Sequence, residues 1–374
     1  MSTVGVLGAG QLGRMLALAG LPLGLRFRFL DPDPAPPAAV LGTHVRAEYT
    51  DPDALRAFAR GCDVVTFESE AVPYEAASVL ADVVPVRPSP EVLRITQDRL
   101  AEKTFLRGLG LPLAPFAAVE DADTLDAAVA EAGVPAVLKT RTGGYDGRGQ
   151  VRIDDARAAA VAWAQLGHVP AVLERWVPFE REIALLAVRR TGGEIRHYPL
   201  IETRQSGHQL AQALAPAPAV GAHLRRQANH IVQCLLGALD HVGVLAVECF
   251  QVEGRLLVNE LAPRVHNSGH WTVEGAYTSQ FENHLRAILG WPLGSTATAG
   301  ATGLLNVIGR APAREPLLAL PGTHLHLYDK AAAPQRKLGH ITVRAGRLSE
   351  LERRMKAVED CLTEQDPSRA RSSS

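Results

Sequence analysis

The chain has 374 residues, enough for two or three domains and for burying roughly three quarters of the surface of the unfolded chain. A net charge of −1 excludes the electrostatic pattern of proteins that bind long nucleic acids or anionic membranes. Four scattered cysteines without a CxxC pair argue against a zinc site or a disulfide framework, and the lack of a basic leader or a long apolar run predicts a soluble, cytoplasmic protein.

Short apolar runs alternate with helical patterns over the first hundred residues. This alternation predicts a parallel sheet built of βαβ units. The predicted strands are TVGVLG (3–8), LRFRFLD (25–31), DVVTFE (63–68) and VVPVRP (83–88), and the proline-bearing segment 84–92 is interpreted as the exit from a domain.

The turn after the first strand has the pattern Gly8-x-Gly10-x-x-Gly13, and Asp31 ends the second strand. This is the dinucleotide-binding fingerprint, in which helix amides hold a phosphate and the acid holds a ribose. By itself the pattern is equally typical of a plain βαβ turn or of one that binds another small molecule. Gln11 stands where a side-chain amide would face the ligand.

The third strand ends in FESE (67–70), which places Glu68 and Glu70 at its C-terminal end. Open α/β sheets bind their ligands at this edge. The ordinary alternative is that both carboxylates are solvated in a loop. Their position at the ligand-binding edge of the sheet is therefore the evidence for a functional role.

A glycine-rich loop, TRTGGYDGRGQ (140–150), separates two predicted strands, PAVLKT (135–140) and VRID (151–154). A helix from near Thr96 to Gly108 or Gly110 is predicted before it, and an alanine-rich helix (155–166) and a strand, AVLERWV (171–177), after it. The unit has the size of a small lid. A mobile hairpin tip is the simple alternative for such a loop.

Three charged residues flank this unit. Lys139 ends a strand, where a lysine can contact phosphate, and Glu174 and Glu182 stand eight residues apart with a strand-like segment between them. Glu182 is of a type that can hold two ribose hydroxyls.

A hairpin is predicted after a helix at 223–243, with strands at 244–250 and 255–261. A turn near Gly254 sets Glu248 opposite Glu260, and a shift of one residue sets it opposite Asn259. Facing carboxylates in apolar strands favour a divalent cation such as Mg²⁺, which binds one or two carboxylates and substrate phosphates. A salt bridge to Arg255 or Arg264 is the alternative.

Polar side chains crowd the segment APRVHNSGHWT (262–272) directly after the hairpin, namely those of Arg264, His266, Asn267 and His270. Their density beside Glu260 favours a binding site over buried, backbone-satisfied imidazoles. The last predicted strands are HLHLYDK (324–330) and KLGHITV (337–343), and the end of the chain, DPSRARSSS, is expected to be disordered.

Taken in order, these motifs resemble the ATP-grasp superfamily, and within it the 5-(carboxyamino)imidazole ribonucleotide synthase family. The specific motifs are RTGGYDGRGQ and NELAPRVHNSGHWT, and the resemblance extends from GAGQLGRM to YDK and RKLGH. It implies an α/β fold, α+β overall: an N-terminal parallel-sheet domain similar to that of biotin carboxylase (1–98), an ATP-grasp domain (99–290) with a lid at about 110–175, a small C-terminal domain (291–365) and a tail (366–374).

The resemblance also implies an activity. Enzymes of this family carboxylate 5-aminoimidazole ribonucleotide with bicarbonate and ATP, through carboxyphosphate or CO₂ released from it, and produce ADP and phosphate in purine biosynthesis. The implied cofactor is Mg²⁺, with Mn²⁺ as a substitute. The implied partners are these small molecules and a second copy of the chain in a homodimer, without nucleic acid or membrane.

The family pattern assigns roles to residues of this chain. ATP would contact Arg99, Lys139, Gly144, Tyr145, Asp146, Gly147, Arg148, Gly149, Gln150, Glu174, Arg175, Trp176, Val177, Glu182, Gln205, Asn259 and Glu260. The ribonucleotide would contact Gln11, Leu12, Glu68, Glu70, Tyr145, Arg148, Lys330, Arg336 and Lys337. The metal ligands would be Glu248, Glu260 and Asn259, and the catalytic residues Asp146, Arg264 and His266. Asp146 and His266 are both candidates for taking the amine proton.

The chain departs from the family pattern in one segment, IETRQSGH (201–208). The family places Asn-x-His there, whereas this chain has Thr203 and Gln205, with His208 three residues later. Either Gln205 donates the hydrogen bond to the nucleotide phosphates or His208 reaches back.

Three other functions compete with this one. A different ATP-grasp enzyme, such as the formate-using glycinamide ribonucleotide transformylase or a biotin carboxylase, would share most motifs but not GGYDGRGQ and NSGHWT. An NAD-dependent oxidoreductase would explain the first glycine turn but not Glu248 and Glu260. A non-catalytic nucleotide sensor would not need Lys139 together with both acids.

Overall fold

The computed structural model describes residues 1–144 and 147–365, and all elements below belong to these residues. The N-terminal part forms a parallel sheet in the order β3-β2-β1-β4. Its elements are β1 (Thr3–Leu7), α1 (Gln11–Gly20), β2 (Arg26–Leu30), β3 (Thr43–Val45), α2 (Pro52–Ala59), β4 (Val64–Phe67), α3 (Tyr74–Ala81) and α4 (Pro90–Thr96). The predicted parallel sheet is confirmed.

The expected strand at 83–88 is wrong, because this segment makes only a single bridge, between Val65 and Val86. The helix expected from Thr96 is also placed differently. It begins at Arg99, since the Asp98 side chain accepts hydrogen bonds from the amides of Leu100 and Ala101 and thereby caps a new helix.

The next part is a four-stranded antiparallel sheet in the order β5-β8-β6-β7. It follows α5 (Arg99–Gly108) and consists of β5 (Phe116–Val119), α6 (Ala122–Ala132), β6 (Ala136–Thr140), β7 (Gln150–Ile153), α7 (Ala159–Gln165) and β8 (Ala171–Arg175). The strand-like segment expected between Glu174 and Glu182 is wrong: β8 ends at Arg175 and the chain crosses to another sheet, past Pro178, before the next strand begins at Arg181.

The remaining strands form one large antiparallel sheet in the order β14-β13-β9-β11-β12-β15-β17-β16, with β10 on β9. The elements are β9 (Arg181–Arg189), β10 (Ile195–His197), β11 (Ile201–Ser206), β12 (Gln209–Ala215), α8 (Ala222–Ala238), β13 (Gly243–Val252), β14 (Arg255–Ala262), α9 (Thr272–Gly275), α10 (Gln280–Ile288), β15 (Ala301–Ile308), α11 (Arg314–Leu318), β16 (Thr323–Leu327), β17 (Lys337–Ala345) and α12 (Leu348–Gln365). Short 3₁₀ turns occupy Leu21–Leu23, Ala39–Leu41, Ala156–Ala158 and Asn267–Gly269.

A continuous apolar core joins the N-terminal sheet to the large sheet. Buried side chains of β1 and α1 pack in one cluster with those of α10 and β9. Thr66 of β4 also hydrogen-bonds His284 of α10, with 2.9 Å between Oγ1 and Nε2. This packing holds the C-terminal end of β4, where Glu68 and Glu70 follow, against the large sheet. No described helix is long and apolar enough to cross a bilayer. The tail expected at 366–374 lies outside the described residues.

Candidate active site

A cleft of about 1510 Å³ is lined by residues of all three sheets and their connections. Pockets for single small ligands usually measure about 300–1,000 Å³. The cleft therefore has room for two ligands of nucleotide size.

Nearly all of the site residues expected from the sequence line this cleft. Tyr145 and Asp146 lie outside the described residues. Gly149 does not line the cleft; it packs behind the loop, where a Cβ would lie 2.6 Å from the Thr140 hydroxyl oxygen. The lining residues are Gln11, Leu12, Glu68, Glu70, Arg99, Lys139, Gly144, Gly147, Arg148, Gln150, Glu174, Arg175, Trp176, Val177, Glu182, Gln205, Glu248, Asn259, Glu260, Arg264, His266, Lys330, Arg336 and Lys337.

The buried carboxylate of Glu68 occupies the first glycine turn. It accepts hydrogen bonds from the amide of Gly10 and, at 2.5 Å, from the amide of Gly13. A Cβ at Gly8 would lie 2.6 Å from Glu68 Cγ, so the glycines allow this close approach. Burial raises the pKa of Glu68, and the two amides oppose the rise. The turn thus holds an internal anion where a dinucleotide phosphate would bind.

The acid expected to hold a ribose, Asp31, is also engaged within the protein. Its carboxylate accepts hydrogen bonds from the amides of Ala9, at 2.8 Å, and Asp33, at 2.9 Å. The Glu68 carboxylate thus occupies the position of the phosphate, and the Asp31 carboxylate, which would hold the ribose, is already bound to backbone amides. The dinucleotide interpretation of this turn has no geometric support.

Glu70 faces the cleft and pairs with Arg264, with 2.6 Å between the carboxylate and a guanidinium nitrogen. The alternative in which Arg264 forms a salt bridge with Glu248 or Glu260 is therefore wrong. On the other side of the same region, the Lys330 ammonium donates a hydrogen bond to the Gln11 side-chain oxygen. The N-terminal turn and the C-terminal segment thus meet in the cleft.

The hairpin of β13 and β14 sets Glu248 opposite Glu260, which confirms one of the two predicted registers; the register with Asn259 opposite is wrong. The ladder shifts directly after this pair, since Cys249 pairs with Val258 and Asn259 is left without a partner. A bulge of this kind re-aims side chains, and it explains how the consecutive residues Asn259 and Glu260 both line the cleft.

The facing carboxylates of the β13–β14 hairpin repel each other, and a bound cation would relieve this repulsion. Burial, followed by repulsion from Glu260 and Glu182, raises the pKa of Glu248 to about 8. Arg99 reaches Glu260 with 3.3 Å between the guanidinium and the carboxylate. The described residues contain no group of three or more His, Cys, Asp or Glu that would cage a metal by themselves. Two carboxylates and an amide suit Mg²⁺, which completes its shell with substrate phosphates and water.

A buried ion triad lies at another wall of the cleft. The Glu174 carboxylate is 2.9 Å from the Lys103 ammonium and 3.0 Å from that of Lys139. Burial alone would raise the pKa of Glu174, but the two ammonium groups lower it to about 2. Sequence reasoning missed Lys103, whose side chain is buried in α5 together with those of Glu102 and Leu106.

Glu182, at the start of β9, is bonded by the side chain of Gln205 from β11. Burial, opposed by this bond, raises the pKa of Glu182 to about 7. Gln205 therefore has a protein partner, whereas His208 lies beyond the end of β11 and touches the second glycine loop.

His266 lies 3.5 Å from the Glu248 carboxylate through Nε2, and its Nδ1 is 2.9 Å from the Ser268 hydroxyl. Burial, reinforced by the nearby Arg264, holds the pKa of His266 well below its usual value. Burial thus favours the neutral form of the ring, and the Arg264 guanidinium near it is paired with Glu70.

Comparisons with known proteins indicate one family along nearly the whole chain. Family models match at residues 1–97 (ribonucleotide synthetase preATP-grasp domain), 104–281 (ATP-grasp domain) and 302–354 (phosphoribosylaminoimidazole carboxylase C-terminal domain). The N5-carboxyaminoimidazole ribonucleotide synthase of Pseudomonas aeruginosa is 50% identical over 356 residues, which cover 95% of this chain and 98% of that protein.

Solved structures give the same result. The N5-carboxyaminoimidazole ribonucleotide synthetase of Thermus thermophilus superposes with a TM-score of 0.92 at 49% identity, over 97% of this chain and 98% of that one. The Aspergillus clavatus synthase, in complex with ADP and 5-aminoimidazole ribonucleotide, superposes with a TM-score of 0.90 at 34% identity, over 97% and 99%.

Proposed function

The chain belongs to the N5-carboxyaminoimidazole ribonucleotide synthases, a family of ATP-grasp ligases, and from this we propose which residues of its cleft bind each substrate and the metal ion. The enzyme carboxylates the amine of 5-aminoimidazole ribonucleotide with the help of ATP, forming a C–N bond in purine biosynthesis. The observation that carries the assignment of roles is the pair Glu248–Glu260, which faces a cleft large enough for both substrates.

ATP occupies the part of the cleft between the antiparallel four-stranded sheet and the large sheet. Arg99 and Lys139 contact its phosphates, together with the described part of the loop from Gly144 to Gln150. Residues 174–177 meet the adenine, and Glu182 holds the ribose. The triad of Glu174 supports this assignment, because the carboxylate holds Lys139 in place and its single negative charge, set against two ammonium groups, leaves one positive charge that suits a phosphate.

Glu248, Glu260 and Asn259 are the residues that would hold Mg²⁺, or Mn²⁺ in its place. The ion, when bound, neutralises charge on the phosphate oxygens during phosphoryl transfer. The chain's own part is to hold both carboxylates in register and to supply Arg99 beside Glu260.

5-Aminoimidazole ribonucleotide occupies the part near the N-terminal sheet. Its 5′-phosphate lies by Lys330, Arg336 and Lys337, and Arg148 reaches it from the loop. Gln11, Leu12 and Glu70 lie near the amine. Glu68 acts on this end indirectly, since its carboxylate is bonded to the turn that carries Gln11.

Bicarbonate lies between the two substrates, at Arg264 and His266. ATP phosphorylates it to carboxyphosphate, which is labile in water, so exclusion of solvent is part of the mechanism. The amine takes the carboxyl group from carboxyphosphate or from CO₂ released within the site. Asp146 and His266 are the two candidates for taking the amine proton, and the depressed pKa of His266 makes its imidazole a weak base.

The finer organisation follows the same family. We propose domains at 1–98, 99–290 and 291–365, a cytoplasmic location and a homodimer. Light scattering behind a sizing column measures the last of these directly, and a monomer at working concentration would contradict it.

A coupled assay of ADP release tests the activity, with each substrate omitted in turn. Release is expected only when ATP, Mg²⁺, 5-aminoimidazole ribonucleotide and bicarbonate are all present. Turnover driven by formate and glycinamide ribonucleotide, or by bicarbonate and biotin, would assign the chain to another acceptor instead.

A further inference from the structure

The tip of the β11–β12 hairpin is a two-residue turn of unusual composition. Ser206 pairs with Gln209, and between them Gly207 and His208 both have positive φ, of 56° and 63°. Turns of this geometry favour glycine and asparagine, and histidine is also enriched among the other residues that adopt positive φ. The contacts of the His208 side chain, rather than its backbone conformation, therefore indicate whether it has a role.

The side chain of His208 lies against the second glycine loop. Its Nδ1 is 3.4 Å from Nε2 of Gln150, and a Cβ at Gly147 would lie 2.0 Å from the Cβ of His208. Glycine at 147 is thus required by the histidine that faces it. The hairpin tip and the loop meet through these residues at the cleft, which all three of them line.

The neighbouring residues of the hairpin tip reach two other parts of the cleft. The Gln209 side chain donates a hydrogen bond to the backbone carbonyl of Gln335 at 3.1 Å, in the segment that carries Lys330 and Arg336. Gln205, before the turn, is bonded to Glu182. One short hairpin tip therefore touches residues assigned above to the nucleotide and, at Gln335, the backbone of the segment that carries the residues assigned to the ribonucleotide phosphate.

We propose that His208 and Gln209 are positioning residues that couple the binding of ATP to the binding of 5-aminoimidazole ribonucleotide. The inference rests on the function proposed above. A nucleotide bound against Gly147–Gln150 would push this part of the loop onto His208, and the turn would pass the displacement to Gln335 and the cationic segment beside it. Coupling of this kind is reciprocal, so each ligand strengthens the binding of the other by the same factor.

The variant His208→Gly separates this role from folding. Glycine adopts positive φ freely, so the turn is expected to keep or improve its stability while the contact with the loop is lost. His208→Asn keeps a side chain that tolerates this conformation and shortens its reach. His230→Ala, an exposed histidine of α8, is the matched control.

The measurement is the dissociation constant of Mg²⁺ and a non-hydrolysable ATP analogue, by calorimetry, with and without saturating 5-aminoimidazole ribonucleotide. In the unmodified protein and in His230→Ala we expect the ribonucleotide to tighten analogue binding by about 5- to 150-fold. In His208→Gly we expect this factor to fall to about one while each ligand alone binds within about 2-fold of normal. Gln209→Ala is expected to lower it as well, and His208→Asn to give an intermediate value.

A full coupling factor in His208→Gly would overturn the proposal, as would a factor of one in the unmodified protein. A loss of binding of either ligand alone in His208→Gly would also overturn it, since His208 would then be a direct ligand. Titration of the ribonucleotide alone distinguishes failure of the proposed function: the ribonucleotide would then not bind the unmodified protein at all, whereas failure of the coupling alone leaves this binding intact.

Discussion

The carboxylate of Glu68 accepts a hydrogen bond from the backbone amide of Gly13 at 2.5 Å, at the N-terminal end of α1. In a dinucleotide-binding domain this position belongs to a phosphate. Here the anion comes from the end of β4 and is part of the protein. The same turn that predicts a dinucleotide by its glycines is thereby closed to one, and its glycines serve to admit the Glu68 side chain.

Replacement of Glu68 by alanine should destabilise the protein. It would leave the part-buried amide of Gly10 and the buried amide of Gly13 without acceptors, at a cost of about 1–3 kcal/mol. Glu68→Gln keeps the shape and one acceptor oxygen and should lose less. The order of melting temperatures, unmodified above Gln above Ala, is the expected result.

The same relationship predicts that the unmodified protein does not bind NADH. A fluorescence titration should show no enhancement at concentrations that saturate typical dehydrogenases. Tight NADH binding, or a Glu68→Ala variant as stable as the unmodified protein, would contradict the role given to Glu68.

Local patterns predicted much of the fold. Alternating apolar runs located β1, β2 and β4. The turn near Gly254 located the hairpin, but by itself, with Val252 opposite Arg255, it would set Glu248 opposite Asn259. The choice between the registers depended on the bulge at Asn259, and no local pattern encodes that bulge.

Contacts between distant residues account for what the sequence did not predict. The break before α5 depends on Asp98, whose carboxylate is paired with Arg141 from the next sheet at 2.6 Å. Lys103 and Glu174 stand on different elements, and only folding shows that they share an ion triad. Glu68 bonds the first glycine turn and Glu70 pairs with Arg264. These different roles likewise depend on contacts with residues that are distant in the sequence.

The raised pKa of Glu182 predicts a pH-dependent stability of the unliganded protein. Its pKa is about 7 in the folded chain and about 4.5 when unfolded, so the folded state favours the protonated form. The stabilising contribution of this group is complete below pH 4.5 and is lost as the pH rises through about 7, by at most roughly 1.4 kcal/mol per pH unit.

Comparison with Glu182→Gln isolates this effect, since the variant cannot titrate at this position. The melting temperature of the unmodified protein minus that of the variant should fall between pH 4.5 and 7 and level off above. A difference that is constant over this range, or that rises, would show that Glu182 does not carry the shift.

Glu260 is predicted to be required for the action of Mg²⁺. Glu260→Gln should lower the rate of ADP release by about 100-fold or more, because it removes one of the two facing carboxylates that we propose hold Mg²⁺ at the transferring phosphate. It should also abolish the dependence of ATP-analogue affinity on Mg²⁺ concentration. Glu253→Gln, on the exposed turn of the same hairpin, is the matched control and should leave both unchanged. Near-normal turnover in Glu260→Gln would remove Glu260 from the metal site.

Two glycines of the second loop allow backbone strain to be separated from collision. Gly143 and Gly147 have nearly equal φ, of 75° and 77°, but a Cβ at Gly143 would meet nothing within 4 Å, whereas one at Gly147 would lie 2.0 Å from the Cβ of His208. Gly143→Ala should therefore cost only the strain of its conformation, about 1 kcal/mol. Gly147→Ala should cost more and should weaken binding of the ATP analogue.

The added variant His208→Gly removes the collision but not the strain. In that background Gly147→Ala and Gly143→Ala should have equal effects on the melting temperature, so the interaction between Gly147→Ala and His208→Gly is non-additive. The corresponding cycle with Gly143→Ala should be additive and serves as the control. Additivity in both cycles would mean that His208 does not press on Gly147, and the contact between the hairpin tip and the glycine loop would then carry no energy for His208 to transmit.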